Sequence, residues 1–260
     1  MVVDKLGPYD LGRIYKGDCL ELMKAIPSGS VDIVMTSPPY NTLPISSIGS
    51  GMHKGCGWLK KASCGYPDSM PEYEYQEWMR TVFTECLRIT KGLVWVNHKV
   101  RYRDGKAVHP CRFLPFPIYS EVIWSRPGSY ALNCKRFAPS HEMLIGFGEC
   151  AYWDDAFNKL MSVWRISYDR GNDDHPCAYP VELASRPIGA SCPPDGIVLD
   201  PFAGTGTTAI ACARLGRRFL GFELDQKWVD LGNDRIKAQE KGMDVDELRA
   251  GQTSLLDLIE

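Results

Sequence analysis

Residues 198–208 of this chain read Val198-Leu199-Asp200-Pro201-Phe202-Ala203-Gly204-Thr205-Gly206-Thr207-Thr208. The pattern predicts a buried strand, a glycine turn and the start of a helix. Gly204 and Gly206 allow the backbone to turn tightly and to approach a ligand closely. A second strand, Phe219–Glu223, ends in a carboxylate 23 positions after Asp200. Such a carboxylate can accept hydrogen bonds from the two hydroxyls of a ribose.

Three nucleotide-binding sites compete as interpretations of the glycine turn. A phosphate-binding P-loop requires a lysine after its second glycine, but Thr207 follows Gly206. The dinucleotide pattern GxGxxG/A is matched loosely by residues 204–209. The acidic Asp200 before the turn favours S-adenosylmethionine, whose ammonium and sulfonium groups are cationic. A plain strand–helix corner is the structural alternative, and the sequence Asp200-Pro201-Phe202 makes it less favourable.

Strands and helices alternate along the rest of the chain. This order predicts an α/β fold with a mostly parallel sheet and helices on both faces. We predict strands at residues 13–16, 31–35, 93–96, 121–124, 143–147, 197–200 and 219–223. We predict helices at residues 20–25, 75–89, 180–188, 207–215 and 228–241. Residues 41–70 and 99–117 show no regular periodicity and are predicted to be irregular; long loops of this kind are often functional.

A second motif, Ser37-Pro38-Pro39-Tyr40, directly follows the apolar strand that ends near Met35 and Thr36. It should therefore lie at the carboxyl end of that strand, where open α/β sheets bind ligands. Two prolines remove two N–H donors, so hydrogen-bond acceptors remain: the Ser37 hydroxyl and the Pro38 carbonyl. Two such acceptors suit the two N–H groups of an aryl amine, and the Tyr40 ring offers a face on which a base can stack. A proline-rich turn is the structural alternative.

The composition is that of one globular enzyme domain. The chain has 260 residues, of which 44% are hydrophobic, and a net charge of −2. No apolar run approaches the roughly 20 residues of a membrane span, and the first residues do not resemble a signal peptide, so we expect a cytoplasmic protein with no membrane contact. The ten cysteines include no CxxC pair. We expect reduced thiols and no metal site.

Positive charge is concentrated between His98 and Arg136, where eight basic residues accompany two acidic ones. A polyanion would be drawn to this segment, although a solvated surface is the simpler interpretation. His98 and His109 are expected to belong to the same basic surface. Near the C-terminus, an apolar patch at residues 255–259 is compatible with a tail or with a homodimer contact.

The two motifs together, in this order, resemble the β-class amino-methyltransferases of DNA, in which the catalytic tetrapeptide precedes the cofactor turn. The match extends from Gly17 to about Ile236. It implies the Rossmann-like S-adenosylmethionine-dependent methyltransferase fold with circularly permuted motif order. It also implies S-adenosylmethionine as cofactor, double-stranded DNA as partner and flipping of the target base out of the helix.

The resemblance assigns site residues position by position. The catalytic residues are Ser37, Pro38, Pro39 and Tyr40. For the cofactor, the resemblance assigns Asp18 to the adenine and assigns Glu223 and Asp225 to the ribose. It also assigns His175 and the turn residues Asp200, Phe202, Gly204, Gly206 and Thr207 to the cofactor site. Two segments, Pro139-Ser140-His141-Glu142 and Tyr179-Pro180-Val181-Glu182-Leu183, resemble family segments near the base pocket and near the methionine part of the cofactor.

We expect one methyltransferase domain over residues 1–260, because the interval between Phe147 and Val163 is short for a full recognition domain. We therefore expect DNA-recognition insertions at about residues 41–72 and 99–140. The DNA-binding candidates within them are Lys99, Arg101, Arg103, Arg126, Lys135 and Arg136.

The target base is less determined than the chemistry. Ser37 at the first tetrapeptide position favours cytosine N4, whereas Asp or Asn there is usual for adenine N6, which stays the alternative. Cytosine-C5 methylation requires a Pro-Cys nucleophile after the catalytic strand, and neither Pro110-Cys111 nor Pro176-Cys177 has that position. RNA or protein methyltransferases normally place the cofactor turn before the tetrapeptide. A DNA-binding module that has lost catalysis is the non-enzyme alternative.

Overall fold

The computed structural model describes residues 4–42, 70–126, 135, 137–167 and 179–249. Within these ranges the chain forms twelve strands and six helices. The strands are β1 Lys5–Leu6, β2 Tyr9–Asp10, β3 Arg13–Lys16, β4 Ile33–Thr36, β5 Leu93–His98, β6 Arg101–Arg103, β7 Lys106–Val108, β8 Ile118–Ser125, β9 His141–Gly148, β10 Val163–Arg165, β11 Ile197–Asp200 and β12 Arg218–Glu223. The helices are α1 Cys19–Met23, α2 Glu72–Ile89, α3 Val181–Ser191, α4 Thr207–Leu215, α5 Gln226–Lys241 and α6 Val245–Arg249. None of the helices in these ranges combines the length and the apolar character needed to cross a membrane.

Eight strands form one sheet in the order β10-β8-β9-β5-β4-β11-β12-β3. The five neighbours from β5 to β3 are parallel, and β9 runs antiparallel to both β5 and β8. The sheet is therefore mostly parallel, as the alternation of elements predicts. Strands buried on both faces explain why β4 and β11 are uniformly apolar until the last residue, where Thr36 and Asp200 stand.

Helices cover both faces of the sheet, which confirms the predicted fold class. Alternate residues of the central strands pack into two separate cores. On one side Val34 and Leu199 join the buried faces of α1 and α2. On the other side Ile33 and Val198 join α3, α4 and α5.

The main departure from the predicted elements lies in residues 99–117. This stretch contains a two-stranded hairpin, β6–β7, in which Arg103 pairs with Lys106 across the turn Asp104-Gly105. Both turn residues have positive φ, 50° and 74°. Asp-Gly is the sequence signal for such a two-residue turn, so the prediction of an irregular segment was wrong at this point. Strand β10 at the sheet edge was also not predicted.

Candidate active site

The ends of β4 and β11 define the crevice of the sheet. In the sheet, β4 and β11 are neighbours. The strand that follows β4 in the sheet order of parallel strands is β5, on one side of this pair, and the strand that follows β11 is β12, on the opposite side. The pair β4 and β11 is therefore the topological switch point, where open α/β sheets bind ligands. Thr36 Oγ1 donates a hydrogen bond to Asp200 Oδ1 at 2.6 Å. Asp200 also accepts from the Phe202 amide at 3.0 Å and from the Thr208 hydroxyl. One buried carboxylate thus fixes the start of the tetrapeptide segment and the start of the glycine turn.

Two buried carboxylates line this part of the crevice. Burial raises the pKa of Asp200 above its usual value, although hydrogen bonds from Thr208, Thr36 and Phe202 oppose the rise. Burial likewise raises the pKa of Glu223, against hydrogen bonds from the backbone of Asp225 and Gly204. Neither carboxylate forms an ion pair with a cation among the described residues. Since buried charges are normally paired, this region suits a cationic ligand.

The glycine turn is held from three directions. The Gly204 amide donates to Glu223 Oε2 at 3.1 Å, and Arg235 of α5 donates to the Thr205 carbonyl at 2.9 Å. Gly206 has a φ of 80° and leads directly into α4, whose first residue is the buried Thr207. Phe202 is buried, with its ring edge-to-face against Trp78 at 5.6 Å. The predicted turn residues therefore lie together at the carboxyl end of β11.

Asp18 and Asp225 lie beside the turn, and each caps a helix. The Gly17 amide donates to the Glu223 carbonyl at 2.9 Å, which places the Asp18 segment at the end of β12. Asp18 Oδ1 accepts from the Leu20 amide at 2.8 Å and starts α1. Asp225 Oδ1 accepts from the Lys227 amide at 2.9 Å and starts α5. The remaining predicted cofactor residue, His175, falls outside the described residues.

The predicted catalytic tetrapeptide, Ser37–Tyr40, lies next to this region. Tyr40 extends its hydroxyl into a cluster in which it donates to Glu142 Oε2 at 3.1 Å and accepts from Asn97 Nδ2 at 2.7 Å. Ser37 Oγ lies 2.9 Å from the same Tyr40 hydroxyl. Asn97 Nδ2 also donates to Glu142 Oε2 at 2.9 Å, and Arg126 pairs with Glu142 Oε1 at 2.9 Å. The tetrapeptide is therefore anchored to β5 and β9.

A second anchor holds the backbone of the tetrapeptide. The Tyr75 hydroxyl donates to the Pro39 carbonyl at 2.7 Å and lies 3.0 Å from His98 Nε2. His98 Nδ1 lies 2.8 Å from the Lys99 carbonyl. Burial lowers the pKa of His98 to about 3. The expectation that His98 belongs to the surface was wrong, because it is the last residue of β5 and has no exposed area.

The basic candidates divide into buried and accessible groups. Arg101 is 3% exposed, forms two hydrogen bonds with Glu72 at 2.7 and 2.8 Å, and stacks on Tyr75 at 4.5 Å. Its contacts therefore indicate a structural role, and it does not present a charge to a partner. Arg103 donates to the Asn41 carbonyl and lies 3.5 Å from Glu72.

Lys99, Arg126 and Lys135 keep more exposure than Arg101. The Lys99 amine lies 5.1 Å above the ring of Tyr40. Arg136 and most of the predicted loop at residues 41–70 lie outside the described residues.

The assignment of site residues from the sequence omitted Asn97, Tyr75 and Glu142 as individual residues. Asn97 and His98 had a usable signal, because polar residues end the otherwise apolar strand Leu93–His98. Glu142 was named only as part of a family segment. Tyr75 carried no signal, since an aromatic residue on the buried face of a helix is ordinary core.

Comparison with known proteins identifies the family. Residues 31–234 match the family model described as DNA methylase, the model for N6 and N4 methyltransferases. The chain belongs to this DNA methylase family. Among curated relatives, it is 30% identical over 252 residues to the type II methyltransferase M.HinfI of Haemophilus influenzae, covering 87% of the chain and 68% of that protein. It is 28% identical over 264 residues to the type II methyltransferase M.BglII of Bacillus subtilis, covering 85% and 68%.

Solved structures show the same fold. The PvuII DNA methyltransferase (cytosine-N4-specific) superposes with a TM-score of 0.67 at 19% identity, covering 92% of this chain and 93% of that one. The M1.HpyAVI complex with S-adenosylmethionine superposes with a TM-score of 0.56 at 19% identity, covering 86% and 98%. The DNA methylase family acts on DNA with S-adenosylmethionine as methyl donor, which confirms the class of enzyme that the two motifs predicted.

Proposed function

We propose that this protein methylates the exocyclic amino group of a base in double-stranded DNA, with cytosine N4 as the favoured target and adenine N6 as the alternative. The observation that carries the proposal is the cluster of Ser37, Tyr40, Asn97 and Glu142 beside the crevice formed by β4 and β11. This cluster offers acceptors to an amine and contains no cysteine thiol. Ser37 at the first tetrapeptide position favours cytosine.

Proton positions in the cluster leave Ser37 free to accept. The Glu142 carboxylate can only accept, so the Tyr40 hydroxyl donates its proton to it. The Tyr40 oxygen then accepts from Asn97 and from the Ser37 hydroxyl. The hydrogen bond that Ser37 Oγ accepts from Asn97 Nδ2 is long, at 3.4 Å. Ser37 Oγ and the Pro38 carbonyl can therefore each accept an N–H of the target amine, which favours a tetrahedral nitrogen with a lone pair ready for attack.

The crevice fits S-adenosylmethionine by charge and by backbone. Asp200 and Glu223 supply buried negative charge without a cationic partner among the described residues, and the glycine turn at Gly204 and Gly206 lets a ligand approach the backbone. We propose that Glu223 and Asp18 contact the nucleoside part. When bound, the cofactor supplies an electrophilic methyl group. Ser37 Oγ and the Pro38 carbonyl would hold the amine hydrogens and so orient the amine nitrogen toward that methyl group.

Direct transfer agrees with the state of the cysteines. Burial raises the pKa of Cys86 and Cys212 well above the usual value and that of Cys192 to about 12. Cys111 belongs to a short 3-10 turn, Pro110–Arg112, and does not follow β4. A thiol that stays protonated is a poor nucleophile. These four thiols are therefore poorly suited to the covalent route used for ring-carbon methylation.

Base flipping and the DNA interface complete the proposal. An amino group paired inside a duplex cannot be reached for in-line attack, so the target base must leave the stack and enter the crevice. We place DNA contacts in the insertions at about residues 41–72 and 99–140, with Lys99, Arg103, Arg126, Lys135 and Arg136 as basic candidates. On this proposal, these insertions belong to the same methyltransferase domain as the central sheet.

The proposal is tested by following a labelled methyl group from S-adenosylmethionine into duplex DNA, RNA and protein offered separately. We expect label in duplex DNA alone. Ser37→Ala is the matched variant, and it should keep its affinity for the cofactor. It should lose most of its turnover because one of the two acceptors for the amine is removed, and it should keep some turnover because the Pro38 carbonyl remains. A protein that binds DNA and leaves it unlabelled in the presence of cofactor would instead be a binding module that has lost catalysis.

A further inference from the structure

A basic cleft of about 230 Å³ opens beside the catalytic tetrapeptide. Its walls come from three segments at the carboxyl edge of the sheet: the chain after Tyr40, the turn from β5 into β6, and the facing ends of β8 and β9. The lining includes Thr42, Lys99, Arg103, Arg126, Pro139 and His141. The Lys99 amine lies 5.1 Å from the centre of the Tyr40 ring, so the cleft adjoins the place where the target base is expected.

The charges around this basic cleft do not cancel among the described residues. Arg101 and Arg103 share the single carboxylate of Glu72. Although burial acts to raise the pKa of Glu72, the hydrogen bonds from Arg101 and Gln76 lower it below its usual value, so Glu72 stays ionised. Arg126 is balanced by Glu142. Lys99 has no carboxylate partner among these residues, and the cleft therefore carries an excess of positive charge.

The guanidinium of Arg126 and the amine of Lys99 also have more N–H donors than their partners among the described residues use. Arg126 uses one terminal nitrogen for Glu142 Oε1 and keeps 37% of its side chain exposed. Among the residues that the structure describes, the Lys99 amine contacts the face of the Tyr40 ring and no carboxylate. A monoanion with several oxygens would satisfy an ammonium and a guanidinium at once. A DNA phosphodiester has this chemistry, and a neutral base or sugar does not.

Glu142 connects the basic cleft to the catalytic residues. Its Oε1 accepts from Arg126 at 2.9 Å, and its Oε2 accepts from Tyr40 and Asn97 at 3.1 and 2.9 Å. The carboxylate is buried, with 4% of its side chain exposed, so it cannot turn to solvent without breaking both sets of bonds. An anion bound to Arg126 would therefore be held at a fixed position relative to Tyr40.

We propose that the basic cleft binds a DNA phosphate directly adjacent to the target nucleotide, with Lys99 and Arg126 as its ligands. This inference rests on the proposed function and adds to it the group that holds the flipped nucleotide in place. The target base beside Tyr40 and the phosphate beside Lys99 would belong to one nucleotide, joined through its sugar. The site thus selects an extruded nucleotide by its backbone and is indifferent to sequence.

The test combines one protein change with one DNA change. Lys99→Gln removes the charge without breaking an ion pair, and Lys237→Gln, on the exposed face of α5, is the matched control. Binding is measured for duplexes that contain the sequence which the wild type methylates, with the target base still unmethylated. One duplex has a natural backbone, and the other has a neutral methylphosphonate in place of one phosphate beside the target nucleotide. Affinity is measured at several salt concentrations, thermal unfolding of each variant is recorded, and transfer of labelled methyl by the wild type is measured on the same duplex.

We expect Lys99→Gln to lower the slope of log affinity against log salt by about 1. A methylphosphonate on one side of the target should weaken wild-type binding by about tenfold and should weaken Lys99→Gln much less, because both changes remove the same contact. Additive losses, or an unchanged slope in a folded Lys99→Gln variant, would overturn the inference while wild-type methylation leaves the proposed function standing. A duplex left unlabelled by the wild type would overturn both.

Discussion

The hydroxyl of Thr36 lies 2.6 Å from the buried carboxylate of Asp200, and this contact joins two parts of the chain 164 residues apart. Thr36 ends β4 and directly precedes the catalytic tetrapeptide, whereas Asp200 ends β11 and directly precedes the glycine turn. The parallel pairing of β4 with β11 brings the two motifs to the same edge of the sheet. The predicted catalytic tetrapeptide and the predicted cofactor turn are therefore held by the same pair of strands.

Loss of the Thr36 hydroxyl should weaken this support. Thr36→Val removes a hydrogen bond to a buried carboxylate whose pKa is already raised by burial. We expect the free energy of unfolding to fall by about 1–3 kcal/mol. Thr36→Ser keeps the hydroxyl and should lose much less. Denaturant titration of both variants checks this, and equal losses would show that the hydrogen bond contributes little.

Tyr75→Phe should slow methyl transfer without weakening binding. The substitution removes the donor to the Pro39 carbonyl and keeps the ring that packs on Phe113 and Arg101. We expect kcat to fall by about tenfold, because the tetrapeptide loses its fixed orientation, with KM for both substrates nearly unchanged. Tyr73→Phe on the exposed side of the same helix is the control. A rise in KM with kcat preserved would assign Tyr75 to binding.

His98 should make the fold sensitive to acid. Its pKa of about 3 lies below the ordinary 6.5 because burial disfavours the charged ring, so the unfolded chain binds an extra proton between these values. This contribution to stability is complete above pH 6.5 and is lost as the pH falls toward 3. Between pH 7 and pH 5 it amounts to about 2 kcal/mol. His98→Gln should lower the pH dependence of unfolding by that amount, and an unchanged dependence would mean that His98 has the same pKa in the fold as in the unfolded chain.

Gly206→Arg should abolish cofactor binding and leave the protein folded. Gly206 has a left-handed φ of 80°, so any side chain there costs about 1–2 kcal/mol, and an arginine would also fill the turn. Gly216→Arg provides the matched control, because Gly216 ends the same helix with a φ of 62° and has open space around it. Calorimetric titration with S-adenosylmethionine compares the two. Equal affinities would place the cofactor away from this turn.

Much of the fold could be predicted because local patterns and tertiary packing agree. The strands 13–16 and 197–200 and the helix 207–215 have the predicted boundaries. The residue that directly follows each of them is Gly17, Pro201 or Gly216, and glycine and proline are the usual residues at which such elements end. The hairpin at Asp104-Gly105 was missed because its two strands are only three residues long, which is too short for an alternation of polar and apolar residues to stand out. Strand β10 is equally short and lies at the sheet edge.

The candidate site was predictable only where its residues adjoin a motif. Ser37 and Gly204 belong to contiguous patterns, but Asn97 and Glu142 reach Tyr40 through strand pairing that no local pattern encodes. Arg101 shows the opposite error, since a basic residue in a basic segment suggests a surface contact. The pairing with Glu72, 29 positions away, and the stack on Tyr75 place it in the interior.

The most direct test of the account identifies the methylated atom. Unmethylated duplex DNA is treated with the protein and S-adenosylmethionine, digested to nucleosides and resolved by mass spectrometry against standards, while single-base modification sequencing locates the sites. The account predicts methyl on an exocyclic amino nitrogen, as N4-methylcytosine in a fixed sequence context, and no covalent intermediate between a cysteine and the base. Methyl on cytosine C5, accompanied by a trapped cysteine–base adduct, would contradict it.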